Sequence, residues 1–219
     1  RNVKSSGPAL LFENPVDKDG NSFNIPVLIN AYASDDRMNM ALGIESLNDV
    51  ADEIADLLEI KPPEGLVEKV KMLPKLARIS SFSPKNVNTA PCQQYVETEN
   101  PDLLSIPALK CWPEDGGRYI TFGHIYSRNP ISNRRNVGLY RVQIFDSKTA
   151  GMHMHLHHDG AQNFLASSKE GRKMEMAIAL GGDPVLVYAA SAPLPPGIDE
   201  LSLAGFLRRK SIELVKCKT

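Results

Sequence analysis

Four of the chain's five histidines fall within seven residues, MHMHLHH, Met152 to His158. Neutral imidazole is a common ligand for transition metals. On a strand, His153, His155 and His157 would share one face, with Met152, Met154 and Leu156 on the other. Side chains at i and i+2 stand about 6–7 Å apart, and a third lies twice as far along. A single metal holds its ligand atoms at roughly 2 Å. A site of three histidines from this strand alone is therefore disfavoured. One ligand, or a solvated or ligand-lining face, stays open.

Three other stretches carry polar groups in places that could do chemistry. In NRRNVGLYRVQIF (133–145), Arg141 interrupts an apolar strand. A guanidinium there requires an anion, either a local carboxylate or a phosphate or substrate carboxylate that its planar fork can grip. In PLPPGIDELSLAG (193–205), Glu200 stands near a helix start, where the dipole favours a carboxylate as a cap; metal ligation is the alternative. ALGGDP lacks the lysine and spacing of a phosphate-cradling loop and reads as a turn followed by a cap. Trp112 in CWPEDGG is a core candidate that could also stack on a ligand. No G-x-S-x-G, H-E-x-x-H or EF-hand pattern occurs.

The elements that must position these residues fall into two textures. ALLFEN (9–14) and PVLINAY (26–32) read as strands around a turn-rich DKDGNS. Leu47, Val50, Ile54, Leu57 and Leu58 recur at helical spacing behind a Ser46 cap and end at Pro62-Pro63, and a second helix is expected over Glu64 to Met72. From about residue 80, YITFGHIYS (119–127), VGLYRVQIF (137–145), MHMHLHH and MEMAIALG (174–181) read as successive strands of an antiparallel barrel or sandwich. Asp183 and Pro184 suit an N-cap and first helical turn, although VLVYAAS could equally be a strand. DELSLAGFLR (199–208) is an amphipathic helix.

The bulk numbers exclude several classes. With 25 basic and 26 acidic residues in 219, nothing suggests broad attraction to nucleic acid or an anionic membrane. No apolar run reaches the roughly 18 residues of a membrane helix. Three scattered cysteines, Cys92, Cys111 and Cys217, with no CxxC, read as reduced structural thiols of a cytoplasmic protein. The chain opens RNVKSSG without an initiator Met and closes on VKCKT, as a fragment of a longer protein would.

Several motifs fall in a shared order. GPALLFENP (7–15), APCQQ (90–94), IPALKCWPEDGGRYIT (106–121), RNVGLYR (135–141), IALGGDP (178–184) and PLPPGIDELSLAGFLRRKSIELVKC (193–217) together resemble the UbiD family over nearly the whole chain. Those enzymes reversibly and non-oxidatively decarboxylate aromatic and unsaturated acids with prenylated FMN. The match looks closest to the quinone-biosynthesis branch, acting on 4-hydroxybenzoate-type acids. The resemblance implies an α+β fold, with an N-terminal α/β segment over residues 1–80 and a split β-barrel of the flavin-reductase type over 81–219.

It also implies a divalent metal, usually Mn2+, held by Asn136, His157 and Glu200 and bridging the cofactor phosphate, with K+ often beside it. Leu139, Tyr140, Arg141, His153, Met154, His155, His158 and Asp159 match cofactor-contacting positions. Arg141 matches the catalytic arginine of a Glu–Arg–Glu network. The acidic members of that network lie downstream of VKC in the family, as does an oligomerisation domain. The expectation is a decarboxylase whose present stretch is inactive alone. A flavin prenyltransferase would supply its cofactor, and the full-length protein would form homo-oligomers. An ordinary flavin-binding module, a non-catalytic subunit of a multi-subunit decarboxylase and a zinc hydrolase are the competing classes.

Overall fold

A computed structural model describes residues 7–48, 50–51, 55, 77, 81–194 and 198–218. The helix expected over Glu64 to Met72 lies outside these residues. The one expected after Ser46 lies only partly inside: residues 47, 48, 50, 51 and 55 are helical, and the Ser46 hydroxyl accepts the Asn48 N–H.

The described elements form a mixed α/β arrangement of four small sheets. Strands β1 (Leu10–Phe12) and β2 (Val27–Ile29) make an antiparallel hairpin. Helix α1 (Asp35–Leu42) follows, capped by Ser34 and ended by Gly43 in the left-handed conformation. Strand β3 (Lys85–Val87) pairs in parallel with the last strand, β10 (Glu213–Val215).

The remaining strands build two three-stranded antiparallel sheets. One contains β4 (Arg118–Ile120), β7 (Arg141–Ile144) and β8 (Ala150–His153), in the order β4-β7-β8. The other contains β5 (His124–Arg128), β6 (Arg135–Leu139) and β9 (Met176–Ala179), in the order β6-β5-β9. Two stretches that read as single strands each break and change sheet. YITFGHIYS breaks at residues 121–123, and VGLYRVQIF breaks at Tyr140. Such corners let one chain build two crossed layers around one core. Ile125 from one sheet and Ile120, Val142 and Ile144 from the other pack there with Tyr140. The expected split barrel thus takes the form of two sheets sharing a core; among the described residues no closed barrel forms.

Three further helices complete the frame: α2 (Asp159–Lys169), α3 (Pro184–Ser191) and α4 (Glu200–Arg208). The VLVYAAS alternative resolves as helix, with the Asp183 carboxylate accepting the Val185 N–H at 3.0 Å and Pro184 in the first turn. The GG before it has positive φ at both positions, 74° and 90°, as the turn reading requires. α4 is apolar on nearly every side and is buried almost throughout. Leu203, Ala204, Phe206 and Leu207 form a second core with Leu42, Val50, Val185 and Ala189.

Two readings are corrected by burial. Trp112 is 68% exposed, so it is not a core residue. Cys92, Cys111 and Cys217 are unpaired, as expected, but all three are exposed and fill no structural interior.

One side chain ties the helical core together. Arg208 Nε reaches both Asp183 oxygens, at 3.0 and 2.7 Å, and its Nη2 donates to the Ala41 carbonyl at 2.5 Å. Nη1 donates to the Leu42 carbonyl. The last turn of α1, the N-cap of α3 and the end of α4 are thus held by one guanidinium. Burial alone would raise the Asp183 carboxyl; the Arg208 hydrogen bonds, the Val185 N–H and the Arg208 charge together outweigh it and hold the carboxyl below its usual value. Replacing Arg208 by Ala strands these acceptors, and urea denaturation is expected to show a loss of about 2–3 kcal/mol.

Candidate functional site

The stretch N-V-G-L-Y-R crosses the change of sheet. Asn136 lies within β6, Leu139 ends it, Tyr140 is the corner and Arg141 begins β7. Tyr140 folds back over two glycines. A Cβ on Gly138 would fall inside its ring, and one on Gly160 would lie 2.9 Å from its hydroxyl. That hydroxyl accepts the Gly160 N–H at 3.2 Å. His158, the N-cap of α2, makes no side-chain cap bond, so the Tyr140 hydroxyl satisfies a first-turn donor in its place.

Two recesses meet at the start of α2. The first, about 370 Å3 in volume, is lined by Asn136, Glu200, Asp159, Arg135, Asn163 and Leu194 among others. Asn136 is 7% exposed, and its Nδ2 is buried without a partner. A buried amide atom there calls for a partner, and with the amide turned over the side-chain oxygen takes that place as a cation ligand. Glu200 is half-buried, and its Oε2 accepts the Val137 N–H at 3.2 Å. The capping role expected for Glu200 belongs to its neighbour: Asp199 is the N-cap and accepts the Leu201 N–H at 2.8 Å. A polar chain backs this recess, with Asn129 Nδ2 donating to Asn163 Oδ1 at 3.1 Å and Asn163 Nδ2 to Ser127 Oγ at 3.2 Å.

Burial pushes the Glu200 carboxyl up to about 7, against the backbone hydrogen bond from Val137, and the nearby Asp199 and Asp159 add to the rise. A desolvated carboxylate beside an unpartnered amide fits a hard cation with oxygen ligands. His157 does not join them. It is exposed, in the turn between β8 and α2, and is not among the residues lining this recess. Among the described residues, no group of three or more His, Cys, Asp or Glu could hold a metal.

The second recess, about 400 Å3, is lined by Met152, His153, Met154, His155 and His158. The MHMHLHH strand is shorter than its pattern implied. β8 ends at His153, and the His158 N–H turns back to the His155 carbonyl at 3.0 Å. His155 and His157 therefore share no strand face with His153. The fifth histidine behaves differently: His124, on β5, is 1% exposed with neither ring nitrogen partnered, and burial pushes its pKa down.

Arg141 sits opposite His153 across the β7–β8 ladder. Its Nη1 and Nη2 grip Asp115 at 3.0 and 2.8 Å, and its guanidinium lies 3.9 Å from the Tyr119 ring centroid. His153 meets the same ring edge-on at 5.4 Å. The local-carboxylate reading of Arg141 holds in this structure, yet 40% of its side chain stays open. The Arg141 hydrogen bonds hold the Asp115 carboxyl below its usual range. Sequence reasoning missed Asp115 and Tyr119. The E-D-G-G turn was the available signal, because a carboxylate fixed in a tight turn beside Trp112 is a ready anchor.

Comparisons with known proteins give the chain's family and the fold it shares. Residues 85–219 match the family model described as UbiD, 3-octaprenyl-4-hydroxybenzoate carboxy-lyase Rift-related domain, and residues 1–58 match its N-terminal domain. An uncharacterized protein of Aquifex aeolicus is 44% identical over 98% of this chain, which spans 43% of that protein. An evolved dimeric form of the UbiD-class enzyme HmfF from Pelotomaculum thermopropionicum, in complex with prFMN, is 27% identical. The match has a TM-score of 0.74 and covers 96% of this chain and 44% of that one. Sedimentibacter hydroxybenzoicus vanillic acid decarboxylase, in its closed form, shares the fold with a TM-score of 0.76 at 23% identity, over 96% and 42% of the two chains.

The raised Glu200 carboxyl makes a prediction for the metal-free protein. A carboxyl whose folded pKa is raised binds a proton in the folded state that the unfolded state has released. Its stabilisation is complete below about pH 4.5 and is lost as pH rises through about 7. Urea denaturation in chelator should therefore show wild type losing on the order of 3 kcal/mol from this group between about pH 5 and 8. The Glu200→Gln variant should lack that slope. An identical slope in both would contradict the burial of Glu200.

Proposed function

We propose that this chain, which belongs to the UbiD family, is the cofactor- and metal-binding part of a non-oxidative decarboxylase acting on an aromatic or α,β-unsaturated acid. The observation that carries this reading is the convergence of Asn136 and Glu200, from β6 and α4, on one half-desolvated recess. Arg141 stands across the β7–β8 ladder from His153, which lines the other recess. The family's description and the prFMN complex of HmfF support prenylated FMN as the cofactor. Oxygen donors favour a hard divalent cation, Mn2+ in the first instance, with K+ as a companion. In the proposed site Asn136 and Glu200 would hold the cation, with His157 as the third ligand that the family resemblance implies.

When bound, prenylated FMN supplies an electron sink for the carbon that loses carbon dioxide, so the overall reaction needs no oxidant. This chain's own groups do the rest of what can be assigned to it. Leu139, Tyr140, His153, Met154, His155, His158 and Asp159 are the residues that would hold the flavin. Arg141 presents the part of its donor fork not used by Asp115 to the substrate carboxylate and orients it. Asp115 and the Tyr119 ring fix that fork in place. The substrate is assigned to the 4-hydroxybenzoate type, as in quinone biosynthesis, on the strength of the family description. No described helix is long and apolar enough to cross a membrane. Assembly into homo-oligomers and a cytoplasmic location belong to the same reading.

The test pairs metal analysis with a visible absorption spectrum of the protein co-expressed with a flavin prenyltransferase. An Asn136→Ala, His157→Ala, Glu200→Ala triple variant is measured beside it. Manganese and flavin should be present together in wild type, with at least a tenfold loss of metal in the variant. Flavin bound without any metal would support an ordinary flavin module instead.

A further inference from the structure

Each of the two residues proposed to hold the cation in the first recess follows a charged one: Arg135 precedes Asn136, and Asp199 precedes Glu200. These charged neighbours find each other. Arg135 Nη2 donates to Asp199 Oδ2 at 2.5 Å, across 64 residues of sequence. Their side chains are only 16% and 30% exposed. Asp199 is doubly used, because its other oxygen caps α4 through the Leu201 N–H. One step further along, the Val137 N–H donates to Glu200 Oε2. The contacts therefore run 135 to 199 and 137 to 200, with Asn136 between them on β6 and Glu200 held directly by the second.

We propose that Arg135 and Asp199 are a positioning pair for the cation site, fixing the first turn of α4 against β6 and so setting the gap between Asn136 and Glu200. The proposal rests on the cation-site reading above and adds two residues that need not touch the ion. The rest of α4 is anchored by its buried apolar side chains, but Asp199 and Glu200 lie at its rim, beyond that core. Apolar packing fixes the axis of a helix; directional hydrogen bonds are needed to fix a carboxylate at its first turn. The ion pair also cancels two charges that would otherwise stand unbalanced beside the recess.

Simple electrostatics and positioning predict opposite signs. A guanidinium near a divalent cation repels it, so deleting Arg135 should tighten metal binding if charge alone matters. If Arg135 positions Glu200, deleting it should weaken binding, on the order of tenfold or more.

The experiment is a Mn2+ titration of the full protein followed by electron paramagnetic resonance. It compares wild type with Arg135→Gln, Arg135→Lys, Asp199→Asn and the Arg135→Gln/Asp199→Asn double variant. Asn at 199 keeps the cap while removing the charge. Arg135→Gln and Asp199→Asn should each bind Mn2+ at least tenfold more weakly at an unchanged circular dichroism spectrum. The double variant should be no worse than either single, as one shared interaction requires. Lys at 135, keeping the charge but not the fork, should recover part of the loss, and it replaces Gln at 135 as the readout should that variant fail to fold. Unchanged or tighter binding in Arg135→Gln, or wild-type binding in Arg135→Lys, would overturn the pair's role. A wild type that binds no Mn2+, or whose binding survives Asn136→Ala, would overturn the underlying site and the pair with it.

Discussion

The change of sheet at Tyr140 is the constraint on which the rest of the site depends. Within six residues the chain places Asn136 on one three-stranded sheet and Arg141 on the other. The corner is held by packing that leaves little room for alternatives. The Tyr140 ring occupies the space that side chains on Gly138 and Gly160 would fill, and its hydroxyl caps the start of α2. One aromatic residue thereby braces the change of sheet and the start of a helix. The spacing from Asn136 to Arg141 is thus explained by geometry as well as by chemistry: glycine two residues before tyrosine is what lets the ring fold back.

The first recess and the β7 side of that corner have different electrostatic characters. In the first, burial works against Glu200, which lies beside an amide without a partner; such a place is stabilised by a cation. On the β7 side, Arg141, the ladder partner of His153, is anchored by Asp115 and Tyr119 while 40% of its side chain stays open. A recess that calls for a cation next to a fork that calls for an anion suits a ligand carrying phosphate at one end, with a carboxylated partner nearby. This division of labour agrees with the proposed decarboxylase chemistry, in which the protein contributes position and charge.

Part of this was legible in the sequence. The amphipathic spacing of 199–208, the Asp183-Pro184 cap and the β-branched runs after residue 118 gave α4, α3 and most strands. The corners were not legible, because VGLYRVQIF is continuously strand-like and the break depends on tertiary packing around Tyr140. α2 was hidden for a different reason. Its buried positions are Gly160, Ala161, Asn163 and Ser167, while Phe164 is 50% and Leu165 39% exposed, the reverse of the usual apolar stripe. With α2 unseen, the histidine strand was drawn too long. At the site, Asn136, Glu200 and Arg141 were reached through motif resemblance. Asp115 was not reached because its contact joins residues 26 apart, and the Arg135–Asp199 contact spans 64.

The central claim is that the Asn136–Glu200 recess is the cation site. The most direct measurement is a crystal structure of the manganese-loaded protein with anomalous data collected at the manganese edge. The account predicts an anomalous peak within coordination distance of the Asn136 and Glu200 side-chain oxygens. A peak among His153, His155 and His158 instead, with that recess empty of metal, would contradict it.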